Sequence, residues 1–291
     1  MTKSQTKNYL KIAILLVATA SLLSARVAAT REVTIVGENL TLNAAFVVAG
    51  GSQPSDKVVL ILHGTLAHKD MELISTLQDA FQEVGQSSLA INLSLNIDDR
   101  QGFFSCDELH THHAADALDE IEAWINWLSA RGVKQIVLLG HSRGANQVAK
   151  FVLRSPHGVQ AAVLLAPSIN DAVADTRVPS NAGHNSDDGQ LEDINFLLCE
   201  NANVKVSSYL SYYGPDANTD SIPLIQQLMI PTLLVSGSED TVTKGLASRA
   251  ANIDNSLVTH IEIIGAGHFF RDLYAYDVVD AVVEFAQGID H

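Results

Sequence analysis

The sequence predicts an α/β fold: a mostly parallel central sheet with helices on both faces, and a lid-like insertion after the strand that follows the helix at 145–153. Three observations predict it. Short, nearly continuous apolar runs, among them Val58 to Leu62, Ile136 to Leu139 and Val159 to Leu165, read as strands buried on both faces. Between most of these runs lie stretches with helical spacing, and strands separated by helices of that length pair in parallel through right-handed crossovers. Several runs end on Gly, His, Ser or Asp, residue types that close a strand and can carry chemistry.

Residues Glu32 to Val48 alternate and favour extended structure, as an antiparallel edge hairpin does, with Gly37-Glu38-Asn39 as its turn. After the strand Val58 to Leu62, a helix is expected over Lys69 to Val84, with Met71, Leu73, Ile74, Leu77, Phe81 and Val84 inward. Ser88 to Leu93 is the next strand. His113 to Ala130 is the next helix, turning Ala117, Ile121, Trp124, Ile125 and Leu128 inward. A strand at Gln135 to Leu139 then runs into a helix at Ala145 to Leu153, followed by the strand Val159 to Leu165. The rhythm breaks from Ala166 to about Ala217. Pro179 to Gly189 is loop by composition, and the chain then turns apolar and aromatic through Phe196, Tyr209, Tyr212 and Tyr213. An excursion at the carboxyl edge of a sheet is either a pocket lid or a surface loop. Strands at Pro231 to Val235 and Val258 to Ile264, a helix at Thr243 to Ala251 and a closing helix at Phe270 to Gln287 complete the alternation.

The most informative pentapeptide is Gly140-His141-Ser142-Arg143-Gly144, set between a strand and a helix. A serine at the apex of so sharp a turn needs small neighbours two residues away on either side, so that its hydroxyl stands clear. Three other pieces follow strand-like runs: His63-Gly64-Thr65 upstream, Asp240 at the end of Ser236-Gly237-Ser238-Glu239-Asp240, and His268 in Gly265-Ala266-Gly267-His268. With Ser, Asp and His in that chain order, the sequence resembles the α/β-hydrolase superfamily from about residue 45 to the end. The resemblance implies a Ser-His-Asp triad. Ser142 is the nucleophile, His268 its base and Asp240 the carboxylate that fixes the imidazole tautomer, in preference to neighbouring Glu239. It also implies an oxyanion hole of two backbone amides, Arg143 and Thr65, with Leu66 as the fallback for the second. His63, Leu66 and His141 are possible substrate contacts.

The Arg143 side chain leaves two readings, a clamp for a substrate carboxylate or an internal pair with an acid such as Asp99. His110, His112 and His113, with Asp107, Glu108 and Asp116 nearby, match no zinc spacing and read as helix capping and loop packing, with no metal site. Asp98-Asp99-Arg100-Gln101-Gly102 reads as a structural ion pair bordering the pocket.

At 291 residues, 47% of them apolar, the chain can bury one large core, and no repeat suggests a second domain. Residues 1–29 read as a signal peptide and 30–291 as one hydrolase domain, with the insertion at about 167–217. Lys3, Lys7 and Lys11 precede the apolar stretch Ile12 to Leu23, and Val27-Ala28-Ala29 offers a cleavage site. About twelve apolar residues span ~18 Å of helix, short of a ~30 Å hydrocarbon core. An exported, periplasmic or secreted protein is therefore expected, without stable membrane insertion after cleavage. Losing residues 1–29 removes four bases and no acid, taking the formal charge from −15 to about −19. That surface repels nucleic acid and anionic membranes. In an oxidising compartment Cys106 and Cys199 can bridge; otherwise they are two separate buried thiols. The partner expected is a small acyl substrate, and no cofactor is required. An ester is the first choice, with a thioester, an amide or acyl transfer as alternatives, and a non-catalytic binding protein on the same fold as the rival class. Oligomeric state is left open.

Overall fold

A computed structural model describes residues 30–50, 56–169 and 189–289. The expected leader and most of the loop Pro179 to Gly189 lie outside these. Side chains alternate across each strand, and the sheet sorts its apolar residues by that period of two. Leu60, Leu62, Leu138, Leu164 and Leu234 pack with Trp124, Leu128, Val148 and Phe151 on one face. Ile61, Leu139, Val163 and Val235 pack with Leu77, Phe81, Val278 and Val282 on the other. Both faces are buried, which is why these strands read as unbroken apolar runs.

The strands are β1 (Thr30–Val36), β2 (Thr41–Val47), β3 (Lys57–Leu62), β4 (Ser87–Asn92), β5 (Gln135–His141), β6 (Val159–Leu165), β7 (Gln190–Phe196), β8 (Cys199–Lys205), β9 (Thr232–Gly237) and β10 (Val258–Ile263). The helices are α1 (Glu72–Glu83), α2 (Asp116–Ser129), α3 (Arg143–Arg154), α4 (Val206–Tyr213), α5 (Ile222–Ile225), α6 (Leu246–Ala250) and α7 (Tyr274–Gly288). Eight strands form one sheet in the order β1-β2-β4-β3-β5-β6-β9-β10. β1 and β2 pair antiparallel, as does β2 with β4, and the remaining neighbours are parallel. Among the described residues no helix is long and apolar enough to cross a membrane.

The strand order reverses at β3, which has β4 on one side and β5 on the other. A crevice opens at the carboxyl ends of strands at such a switch point. The register places Leu62 of β3 opposite Gly140 of β5, so the segments that follow them, Thr65 and Ser142, emerge side by side. Likewise Ile263 of β10 pairs with Gly237 of β9, bringing the segments with His268 and Asp240 together.

Several elements differ from the sequence reading. The first helix begins at Glu72 rather than Lys69, and Val84 at its end is half exposed because it lies past the last buried turn. The helix expected over Thr243 to Ala251 is only the five residues of α6, since Asp240 takes up the Val242 and Thr243 amides. The aromatic stretch after the expected loop is an antiparallel hairpin, β7 with β8, followed directly by α4. Ile194, Phe196, Ala202, Val204, Tyr209 and Tyr212 join the core on the α2–α3 face of the sheet.

Candidate active site

Ser142 sits at φ 56°, ψ −119°, a left-handed conformation rare for any residue with a side chain. The turn is possible because both flanking glycines are in close contact with backbone. A Cβ on Gly140 would overlap the Gly144 carbonyl, and one on Gly144 would overlap the carbonyls of His63 and Leu62. The Ser142 amide donates to Leu165 O of β6 at 2.9 Å, fixing the apex to the neighbouring strand.

The hydroxyl of Ser142 lies 3.0 Å from His268 Nε2, and His268 Nδ1 lies 2.9 Å from Asp240 Oδ2. Asp240 is buried, which by itself would raise its pKa. His268, the Thr243 hydroxyl at 2.6 Å and the Thr243 amide at 2.9 Å outweigh burial and hold the carboxyl well below the usual range. An ionised Asp240 only accepts, so Nδ1 of His268 carries the proton and donates. Nε2 is then free to accept from Ser142. Glu239 is not in this line; its amide donates to Ala266 O. Thr243 went unnoticed in the sequence, where a threonine three residues after the acid was the only signal.

Arg143 is the first residue of α3, so its amide is one of the donors a helix N-terminus leaves free. Neither this amide nor that of Thr65 donates to an acceptor among the described residues. The Arg143 side chain donates from Nε to Thr65 Oγ1 at 3.1 Å, and its guanidinium carbon lies 5.5 Å from the Tyr212 ring centre. That hydrogen bond ties the two amide-bearing segments together. The expected pair with Asp99 does not form: Asp99 accepts from Asn43 at 2.9 Å.

A cavity of about 670 Å³ opens over Ser142, with Gly64, Thr65, His141 and His268 in its walls. Of the three possible substrate contacts, only His141 lines it. Its Nε2 donates to the His268 carbonyl at 2.9 Å, and burial beside the His268 ring lowers its pKa to about 3. His63 is held in the core instead. The Leu93 amide donates to Nε2 at 3.1 Å, so the proton sits on Nδ1 and bonds the Gly64 carbonyl at 2.9 Å. Burial, then Arg100, lowers its pKa to about 3. Leu66 turns its side chain into the core with φ 53°, leaving only its carbonyl to accept from Phe104.

The expected ion pair at Asp98 to Gly102 is absent. Arg100 is buried and donates to the carbonyls of Leu93, Ala67 and Gly102 and to Asn92, while Asp98 accepts the Thr41 amide. Neutral acceptors from the end of β4 and from the loops after β3 and β4 satisfy the guanidinium. His110 and His112 are fully buried and bonded to each other at 3.1 Å, and His112 bonds the Tyr212 hydroxyl at 2.9 Å. Asp116, at the start of α2, accepts the His113 amide at 2.6 Å. Cys106 and Cys199 form a disulfide with Cα atoms 5.5 Å apart, joining the loop before α2 to the β7–β8 hairpin.

The sequence pattern of the α/β hydrolase fold family matches residues 57–194, the span from β3 through β7. The chain has the α/β-hydrolase fold. Similar solved structures include Est1E from Butyrivibrio proteoclasticus, at 19% identity and TM-score 0.63 over 89% of this chain and 98% of that one. The same protein has been solved with ferulic acid bound, at 20% identity and TM-score 0.64 over 88% and 98%. The esterase domain of a Rhodothermus marinus protein matches at 15% identity and TM-score 0.60, over 89% of this chain and 98% of that one. At such identities the likeness concerns the fold. No curated protein matches the chain in sequence.

Proposed function

We propose that the protein is a serine hydrolase that cleaves a carboxylic ester through an acyl-enzyme on Ser142. The observation that carries this reading is the hydrogen-bonded line Asp240–His268–Ser142, at 2.9 and 3.0 Å, beside two amides with no acceptor among the described residues. Ser142 Oγ attacks the acyl carbon as its proton passes to His268 Nε2. The carbonyl oxygen becomes an oxyanion and accepts from the amides of Thr65 and Arg143, each such donor lowering the barrier by about 3 kcal/mol. When the intermediate collapses, the bond to the alcohol oxygen breaks and His268 returns the proton to that oxygen. Water then attacks the acyl-enzyme, giving its proton to His268, and the acid leaves as Ser142 regains its hydrogen. Asp240 stays ionised throughout and stabilises the imidazolium.

Residues 30–291 form one hydrolase domain in this reading, and the excursion at about 167–217 supplies a wall of the pocket. Residues 1–29 serve as a cleaved export signal to the periplasm or exterior. The disulfide supports export, because such bridges persist in oxidising compartments. The partner is a small acyl substrate, with no nucleic acid and no stable membrane insertion after cleavage. Hydrolysis of p-nitrophenyl esters of graded chain length tests the reading. Turnover by the wild type and its loss in Ser142→Ala support it, and turnover that persists in Ser142→Ala contradicts it.

A further inference from the structure

Four exposed apolar side chains, from four separate segments, converge on the cavity over Ser142. They are Phe103 (65% exposed), Leu198 (71%), Val242 (54%) and Phe269 (43%). Exposed apolar groups scattered singly need no explanation, but a cluster around one opening marks a binding surface. Its position fixes the occupant, because the cluster is continuous with the wall that holds Ser142 and His268. A ligand that fills this cavity touches these side chains and the serine alike.

Phe103 and Leu198 belong to the two segments joined by the disulfide. Leu198 precedes Cys199 at the tip of the β7–β8 hairpin, and Phe103 lies three residues before Cys106. The Phe103 ring meets the His68 ring edge-on at 4.7 Å between centres, and the Leu197 amide donates to the Tyr213 hydroxyl at 2.9 Å. Part of the remaining wall is charged. Among the described residues, Asp70, Glu72 and Asp272 line it with one guanidinium, Arg271, which lies 3.8 Å from Glu72. Lys69 holds Asp70 at 2.8 Å from outside the lining, which leaves two carboxylates, Glu72 and Asp272, to the one guanidinium. Such a wall disfavours an anionic substrate group.

We propose that the substrate is an ester without negative charge whose apolar group seats between Phe103 and Leu198, and that the Cys106–Cys199 bridge sets the spacing of these two specificity residues. The inference rests on the hydrolase reading above and adds the substrate class. It sets apart esters with a bulky apolar group from acetyl esters, and uncharged esters from those bearing carboxylate or phosphate.

The test compares kcat/KM for p-nitrophenyl octanoate and acetate, and for p-nitrophenyl butyrate and the anionic p-nitrophenyl hemisuccinate. In the Phe103→Ser/Leu198→Ser variant the octanoate-to-acetate ratio falls about tenfold, the scale of discrimination a few apolar contacts provide. Both side chains are exposed, so the substitution leaves the core intact. The Cys106→Ser/Cys199→Ser variant lowers the same ratio, mainly through a higher KM for octanoate. The wild type prefers butyrate over hemisuccinate by about tenfold or more. A ratio unchanged in the surface variant, or a preference for hemisuccinate, overturns the inference. Labelling by a fluorophosphonate probe separates the two readings: a labelled protein with an unchanged ratio removes this inference alone, and an unlabelled one removes the hydrolase reading with it.

Discussion

Two cavities of nearly equal volume lie among the described residues, and of the two only that over Ser142 sets an acid, an imidazole and a hydroxyl in line. The cavity over Ser142 measures about 670 Å³, and a second of about 610 Å³ lies between the β1–β2 hairpin and α2, lined by Ser94, His113, Asp116 and Glu120 among others. The second has a serine, a histidine and carboxylates, the same residue types as the first. Its serine hydroxyl, however, donates straight to Glu120 at 2.6 Å, and the Ser94 amide donates to the same carboxylate at 2.9 Å. No imidazole stands between acid and hydroxyl, so Glu120 anchors the β4 end to α2. Residue types and volume are thus shared; the order acid, imidazole, hydroxyl is not. That order comes from strand register at the switch point.

The largest expected effect contrasts the two serines. Ser142→Ala lowers kcat by about 10⁴-fold or more, whereas Ser94→Ala changes ester turnover less than about twofold; steady-state kinetics on one substrate measures both. Next is Asp240→Asn, which leaves the geometry in place but removes the charge that fixes the His268 tautomer. It lowers kcat by about 10³- to 10⁴-fold with little change in KM.

Smaller effects concern stability. Replacing both cysteines with serine costs about 2–4 kcal/mol in urea unfolding, because the bridge closes a loop of 93 residues. In the second cavity, burial pushes the Glu120 carboxyl up to about 7 despite the Ser94 hydrogen bonds. A carboxyl raised by folding contributes stability below its unfolded pKa and loses it as pH climbs through the folded value. Glu120→Gln therefore gains about 2 kcal/mol relative to wild type at pH 8, and much less at pH 5. An equal change at both pH values would contradict the buried-acid account.

The central strands were legible because burial on two faces leaves unbroken apolar runs, the edge hairpin because it alternates, and the line through Ser142, His268 and Asp240 because each follows a strand-like run. Burial of the β7–β8 hairpin was not. Its first strand reads Gln190-Leu191-Glu192-Asp193-Ile194-Asn195-Phe196, with two acids and a broken register, so no clean alternation signals it. Its attachment depends on distant groups, Cys106 and His110, the latter bonding through its backbone to Asn203 and Lys205. Phe103 and Leu198 were missed for a related reason: an exposed side chain in a turn obeys no periodicity, and only its nearness to a cysteine marks it. The partners of Arg100 and Arg143 were misread because sequence does not reveal that carbonyls and a hydroxyl, rather than acids, surround those guanidinium groups.

The most direct test of the central claim is the intact mass of the folded protein after treatment with a fluorophosphonate, followed by mapping of the adduct. The account predicts one adduct per chain, on the peptide containing Ser142, and none in Ser142→Ala. A folded wild-type protein that stays unmodified, or carries its adduct on another serine, would contradict it.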